Sequence, residues 1–161
     1  MSAIVRVMMT ITLGKKLECA KFGQMKSKLN EVTILLIDDN EDIRNLVTLI
    51  VENAGFTVLS AFDGADGLQK TIDFKPDLIL LDSMMPRMGG VEVLSKIRKN
   101  KDPRINSIPI VMLTSRSSVD DIDSAIDLGA TSYVVKPFRP QKLIEKITAL
   151  LISEGILTSA I

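Results

Sequence analysis

At 161 residues the chain fits one domain, and 46% hydrophobic with 25% charged residues excludes an intrinsically disordered polymer. Twenty Lys/Arg balance twenty Asp/Glu only in sum: residues 1–30 hold six bases and one acid, residues 31–161 fourteen bases against nineteen acids. The acidic body is a poor polyanion binder, so direct nucleic acid contact is not expected of it. With no histidine, the chain supplies neither imidazole catalysis nor a phosphohistidine of its own.

Residues 1–30 mix Met, Lys and Thr with weak periodicity and are expected to be a poorly ordered extension, with Met25 as a natural start. A basic arm docking on a membrane or a partner is the alternative. The apolar run from Ile4 to Leu13 is broken by Arg6 and falls short of the roughly 18 residues a span needs, so no membrane span is expected. It also lacks the cationic segment and cleavage site of a signal peptide. The lone Cys19 cannot form an internal disulfide, which suits a reducing cytoplasm.

From Val32 short apolar runs alternate with amphipathic stretches, the pattern of repeated βα units with a parallel sheet between helical layers. Strands are predicted near residues 32–37, 56–60, 77–81, 108–113 and 132–136, the third and fourth almost wholly apolar, as strands buried on both faces are. The first helix, near 41–53, has Ile43, Leu46, Val47, Ile50 and Val51 at helical spacing and stops before Gly55, a left-handed cap. Later helices start after Asp63, near Gly90 and at Pro140, and Gly129 ends the fourth. The fifth runs to about Ile152, which gives an N-terminal extension over 1–30, one domain over 31–152 and a tail over 153–161.

The charge sits at strand ends. Asp38 and Asp39 close the first apolar run and Asp82 closes the third. Singly, each is most simply a turn or cap residue. Three together, at the carboxyl edge where parallel sheets bind ligands, form a site for a hard cation. The fourth run delivers Thr114 and Ser115, and the fifth delivers Lys136, followed by Pro137, a candidate cis peptide. Carboxylates, hydroxyl and ammonium at one edge form a set of groups suited to phosphoryl transfer.

These motifs, with Ser83-Met84-Met85-Pro86 after Asp82, Leu113-Thr114-Ser115, and Tyr133-Val134-Val135-Lys136-Pro137-Phe138, resemble the receiver domain of two-component response regulators over roughly residues 31–152. The resemblance implies a flavodoxin-like α/β fold, a doubly wound (βα)5 unit with strand order 2-1-3-4-5. It also implies Asp82 as phosphoacceptor from a phosphohistidine on a histidine kinase or a histidine phosphotransfer protein. Mg2+ would be held by Asp38, Asp39, Asp82 and the main-chain carbonyl of Met84. Thr114 and Lys136 would bind the phosphoryl group, and Tyr133 is similar to the family's aromatic switch.

On this reading the chain is a stand-alone cytoplasmic switch rather than an enzyme, its chemistry confined to Mg2+-dependent self-phosphorylation and autodephosphorylation. Output would be contact with a downstream protein, or homodimerisation on phosphorylation, through the fourth helix, fifth strand and fifth helix. Ser83 departs from the apolar residue common at its position. An aspartate-nucleophile phosphatase with Asp38 as nucleophile is an alternative, but that chemistry wants an acid where Asn40 stands. A constitutive docking module with the same fold is a third.

Overall fold

The computed structural model describes residues 29–115 and 119–157, with backbone alone over 119–122. The expected N-terminal extension, apart from Leu29 and Asn30, and the end of the tail at 158–161 lie outside the described residues.

The elements are β1 (Thr33–Ile37), α1 (Glu41–Asn53), β2 (Thr57–Ala61), α2 (Gly64–Phe74), β3 (Leu78–Asp82), α3 (Gly90–Arg98), a short helix at Pro103–Asn106, β4 (Ile110–Thr114), α4 (Val119–Asp127), β5 (Ser132–Val135) and α5 (Pro140–Ser153). All strands run parallel in the order β2-β1-β3-β4-β5. This is the flavodoxin-like order expected from the resemblance.

Local signals set the boundaries. The Asn40 side chain accepts from Ile43 N at 3.1 Å and caps α1, whose first turn carries Glu41 and Asp42 against the positive end of the helix dipole. Gly55 follows that helix at φ +103°, a conformation that costs glycine nothing. Asp63 caps α2 by accepting from Asp66 N at 2.8 Å. The short helix at 103–106 was not anticipated, although Asp102 caps it and Pro103 opens it, a recognisable start signal. β4 accordingly begins at Ile110 rather than Ile108.

Strand residues alternate between two cores. Ile34, Leu36, Leu78, Leu80, Val111 and Leu113 face α1 and α5, where Val47, Val51, Leu143 and Ile147 pack on them. Leu35, Ile37, Ile79, Leu81, Ile110 and Met112 face the other layer, against Val93, Leu94 and Ile97 of α3. Every residue of β3 and of β4 is buried. Asp82 and Thr114 are therefore carried on strands with no freedom to shift sideways, because both faces are packed.

Leu36→Ala is expected to lower stability by about 2–5 kcal/mol in urea denaturation, from lost transfer energy and the cavity left behind. Leu46→Ala, at a position 51% exposed on α1, is expected to stay within about 0.5 kcal/mol of the parent.

Candidate functional site

Register brings the predicted groups together. Ile37 pairs with Leu81 across β1 and β3, so Asp38 and Asp82 leave the sheet side by side. On the other side of β3, Asp82 pairs with Leu113, and Thr114 pairs with Val135, immediately before Lys136. Carboxylate oxygens of Asp38, Asp39 and Asp82 lie within 4.8 Å of one another. Asp38, Asp82 and Thr114 are buried, and Asp39 is exposed.

Lys136 ties the edge together. Its Nζ donates to Asp38 Oδ2 at 2.8 Å and to Asp82 Oδ1 at 3.2 Å. The shorter contact is to Asp38 rather than to the expected phosphoacceptor Asp82. Asp38 is fixed further: its Oδ1 accepts from Asn40 N at 2.9 Å, and its main-chain oxygen accepts from Arg44 Nη1 at 2.8 Å. Asn40 and Arg44 were not singled out in the sequence. Asn40 was visible as a cap three residues before Ile43, but nothing marked Arg44, four positions further along α1. Asn40 stands where the phosphatase alternative requires an acid, and it is used as a cap.

The electrostatics are unbalanced. Burial pushes the Asp82 carboxyl above its ordinary value, the neighbouring Asp38 charge pushes it further, and Lys136 offsets only part of this. Burial works against the Lys136 ammonium, yet the hydrogen bonds and charges of Asp38 and Asp82 hold its pKa above the usual lysine value. Three carboxylates against one ammonium leave a surplus of negative charge, and the oxygen-only donor set fits a small hard cation such as Mg2+.

The backbone leaves no slack around Asp82. The loop after β3 is closed at its base by Gly90 N donating to Ser83 O at 3.2 Å. A Cβ on Gly90 would lie 2.2 Å from the main-chain oxygen of Asp82, so only glycine fits there. Met84 points its side chain to solvent. Ser83 Oγ is buried and has no hydrogen-bond partner. Tyr133 is half-buried at the sheet edge with Lys146 Nζ 5.5 Å from its ring centroid. The Lys136–Pro137 peptide bond is cis.

The profile of the response regulator receiver domain matches residues 34–148. The chain belongs to that family. It is 38% identical over 118 residues to the DNA-binding dual master transcriptional regulator RpaA of Synechocystis, covering 73% of this chain and 48% of the relative. It is 36% identical over 123 residues to the phosphate regulon transcriptional regulatory protein PhoB of Pseudomonas aeruginosa, covering 76% and 53%. The chain thus spans about half the length of the curated relatives it matches. Among solved structures, the chemotaxis response regulator CheY4 of Vibrio cholerae aligns at TM-score 0.70 and 32% identity, over 74% of this chain and 98% of that one. The receiver domain of Francisella response regulator 1452 aligns at TM-score 0.71 and 26% identity, over 76% and 98%.

The relatives correct one expectation. The chain was expected to be no enzyme, with its chemistry confined to Mg2+-dependent self-phosphorylation and autodephosphorylation. Relatives named as DNA-binding and transcriptional regulators overturn that confinement. The reasoning from Asp82, Thr114 and Lys136 described what one strand edge can host, and such an edge sets no bound on what a regulator does. Among the described residues no helix is long and apolar enough to cross a membrane.

Because the folded-state pKa of Asp82 is raised, the native protein binds more protons than the unfolded one, and this group's contribution to stability is lost as pH rises above the ordinary aspartate range. In metal-free protein, Asp82→Asn is expected to match the parent at about pH 4 and to be the more stable form at about pH 7, with the gap widening as pH rises. Thermal melts of both proteins across that range in chelator test it, and a gap that does not widen with pH contradicts the assignment.

Proposed function

We propose that residues 31–152 form a receiver switched by phosphorylation, in which Asp82 accepts a phosphoryl group from a phosphohistidine on a histidine kinase or histidine phosphotransfer protein. The observation that carries this reading is the convergence of Asp38, Asp39 and Asp82 within 4.8 Å, with Lys136 reaching both buried carboxylates. In the transfer an Asp82 carboxylate oxygen forms the new O–P bond as the donor's N–P bond breaks, and the imidazole keeps the electron pair and takes a proton.

Asp38, Asp39, Asp82 and the Met84 main-chain carbonyl would hold Mg2+, which supplies Lewis-acid neutralisation of phosphoryl charge when bound. The protein's own groups do the rest. Lys136, already 3.2 Å from Asp82 Oδ1, moves its ammonium onto a phosphoryl oxygen. Thr114, buried at the end of β4, donates its hydroxyl to another. The group brings about −1.5 to −2 charge, so its pull on both residues favours a second packing of α4, β5 and α5. Tyr133, at the sheet edge, turns inward behind Thr114 in that packing.

The altered face meets a downstream protein, and homodimerisation through the same face is a second use of it. The excess of acids over residues 31–161 supports protein rather than nucleic acid as the partner of this domain, and the donor places it in the cytoplasm. DNA binding is stated in the names of the relatives and concerns those longer proteins.

With Mg2+ and acetyl phosphate, the protein is expected to gain one acid-stable, base-labile phosphoryl group, seen by intact mass, and Asp82→Asn none. Equal labelling of the variant overturns the assignment.

A further inference from the structure

In the loop between β3 and α3, Arg87 is the centre of a tight turn closed by Met88 N donating to Pro86 O at 2.8 Å, a turn that does not by itself call for an arginine. Arg87 has φ +66°, a left-handed conformation that crowds an L side chain and that glycine adopts freely. Its ion pair gives little in return. Nη2 lies 3.3 Å from Asp63 Oδ2 with the arginine side chain 78% exposed, and exposed pairs of this kind contribute almost nothing to stability. Asp63 is already occupied as the α2 cap through its other oxygen. Non-glycine residues held in such conformations cluster at functional sites.

The position of this pair matters. β1 lies between β2 and β3, so a tie from the β3–α3 loop to Asp63, just after β2, spans the carboxyl end of β1 where Asp38 and Asp39 stand. An anionic donor must approach Asp82 across this acidic edge. Three other cations near the pair are committed at short range: Lys136 to Asp38, Lys70 to Asp66 at 2.8 Å and to Ser60 O at 2.7 Å, and Arg44 to Asp38 O at 2.8 Å, while the exposed Arg139 follows β5, at the opposite edge of the sheet from β2 and Asp63. Arg87 has the longest contact and the most exposed side chain of the four, and a planar guanidinium fork matches phosphate oxygens.

We propose that Arg87 is the donor-binding residue of this receiver: its guanidinium exchanges the Asp63 carboxylate for the phosphate oxygens of an incoming acyl phosphate and holds them over the carboxylate edge. The inference rests on Asp82 being the acceptor. The Asp82 oxygen then forms the O–P bond as the acyl O–P bond breaks, and the carboxylate leaves with the electron pair. Asp63 competes with the donor for the same fork, so it sets how readily the donor is taken up.

The test is the second-order rate constant for labelling by acetyl phosphate with Mg2+. At low ionic strength Arg87→Gln is expected to label about 5-fold more slowly than the parent, the equivalent of one exposed charge contact, and the gap closes in about 0.5 M salt. Asp63→Asn, which keeps a capping side chain, is expected to label faster, and that gain vanishes in the Arg87→Gln background because it acts through the guanidinium. Arg87→Gly, which removes the backbone crowding, is expected to show the same slowing with no fall in Tm, separating donor binding from loop distortion. Parent-like labelling by Arg87→Gln, a gap indifferent to salt, or an Asp63→Asn gain that survives without Arg87 overturns the proposal. Failure of the acceptor assignment reads differently, as labelling of Asp82→Asn.

Discussion

The Lys136 ammonium, set between the buried carboxylates of Asp38 and Asp82, is the contact on which the rest of the structure turns. Two ionised carboxylates side by side at a packed sheet edge repel one another at short range and low dielectric. A single cation reaching both makes the arrangement tolerable without making it neutral, since Asp39 stands within the same group. The edge is thereby kept short of positive charge. That shortage suits the edge to a divalent cation and adds to burial, the larger cause, in holding a proton on Asp82 more tightly than usual.

The sheet makes this possible at little cost elsewhere. β1 and β3 are the central pair of the order, flanked by β2 on one side and β4 and β5 on the other. Each face of those strands is filled by its own set of aliphatic side chains. The two cores hold the strand ends in place while the polar groups project beyond them, so instability is confined to one rim. Asn40 N and Arg44 add fixed donors to Asp38 and couple the start of α1 to the same rim.

Much of this was legible in the sequence because parallel strands buried on both faces leave an unmistakable apolar run, and because a carboxylate, a threonine or a lysine directly after such a run stands out. α1 was placed at 41–53, where the structure has it, since Ile43 to Val51 keep helical spacing and Gly55 closes the helix. Less was legible where the signal lay in side-chain reach. No periodicity announces that Arg44 bends back to Asp38, that Lys136 lies nearer Asp38 than Asp82, or that Arg87 adopts a left-handed backbone, because each depends on the geometry of a turn fixed by tertiary packing. Strand order itself came from resemblance, as the sequence pattern alone leaves the neighbours of each strand open.

The hydrogen bond between Gly90 N and Ser83 O draws the excursion from β3 to α3 shut like a purse-string. Whatever the residues between carry, the two ends of the excursion stay together, and the backbone that bears Asp82 is held from both sides of the loop. A change of side chain along that excursion therefore alters what the rim presents to solvent while the drawn-together ends keep β3 and α3 in register.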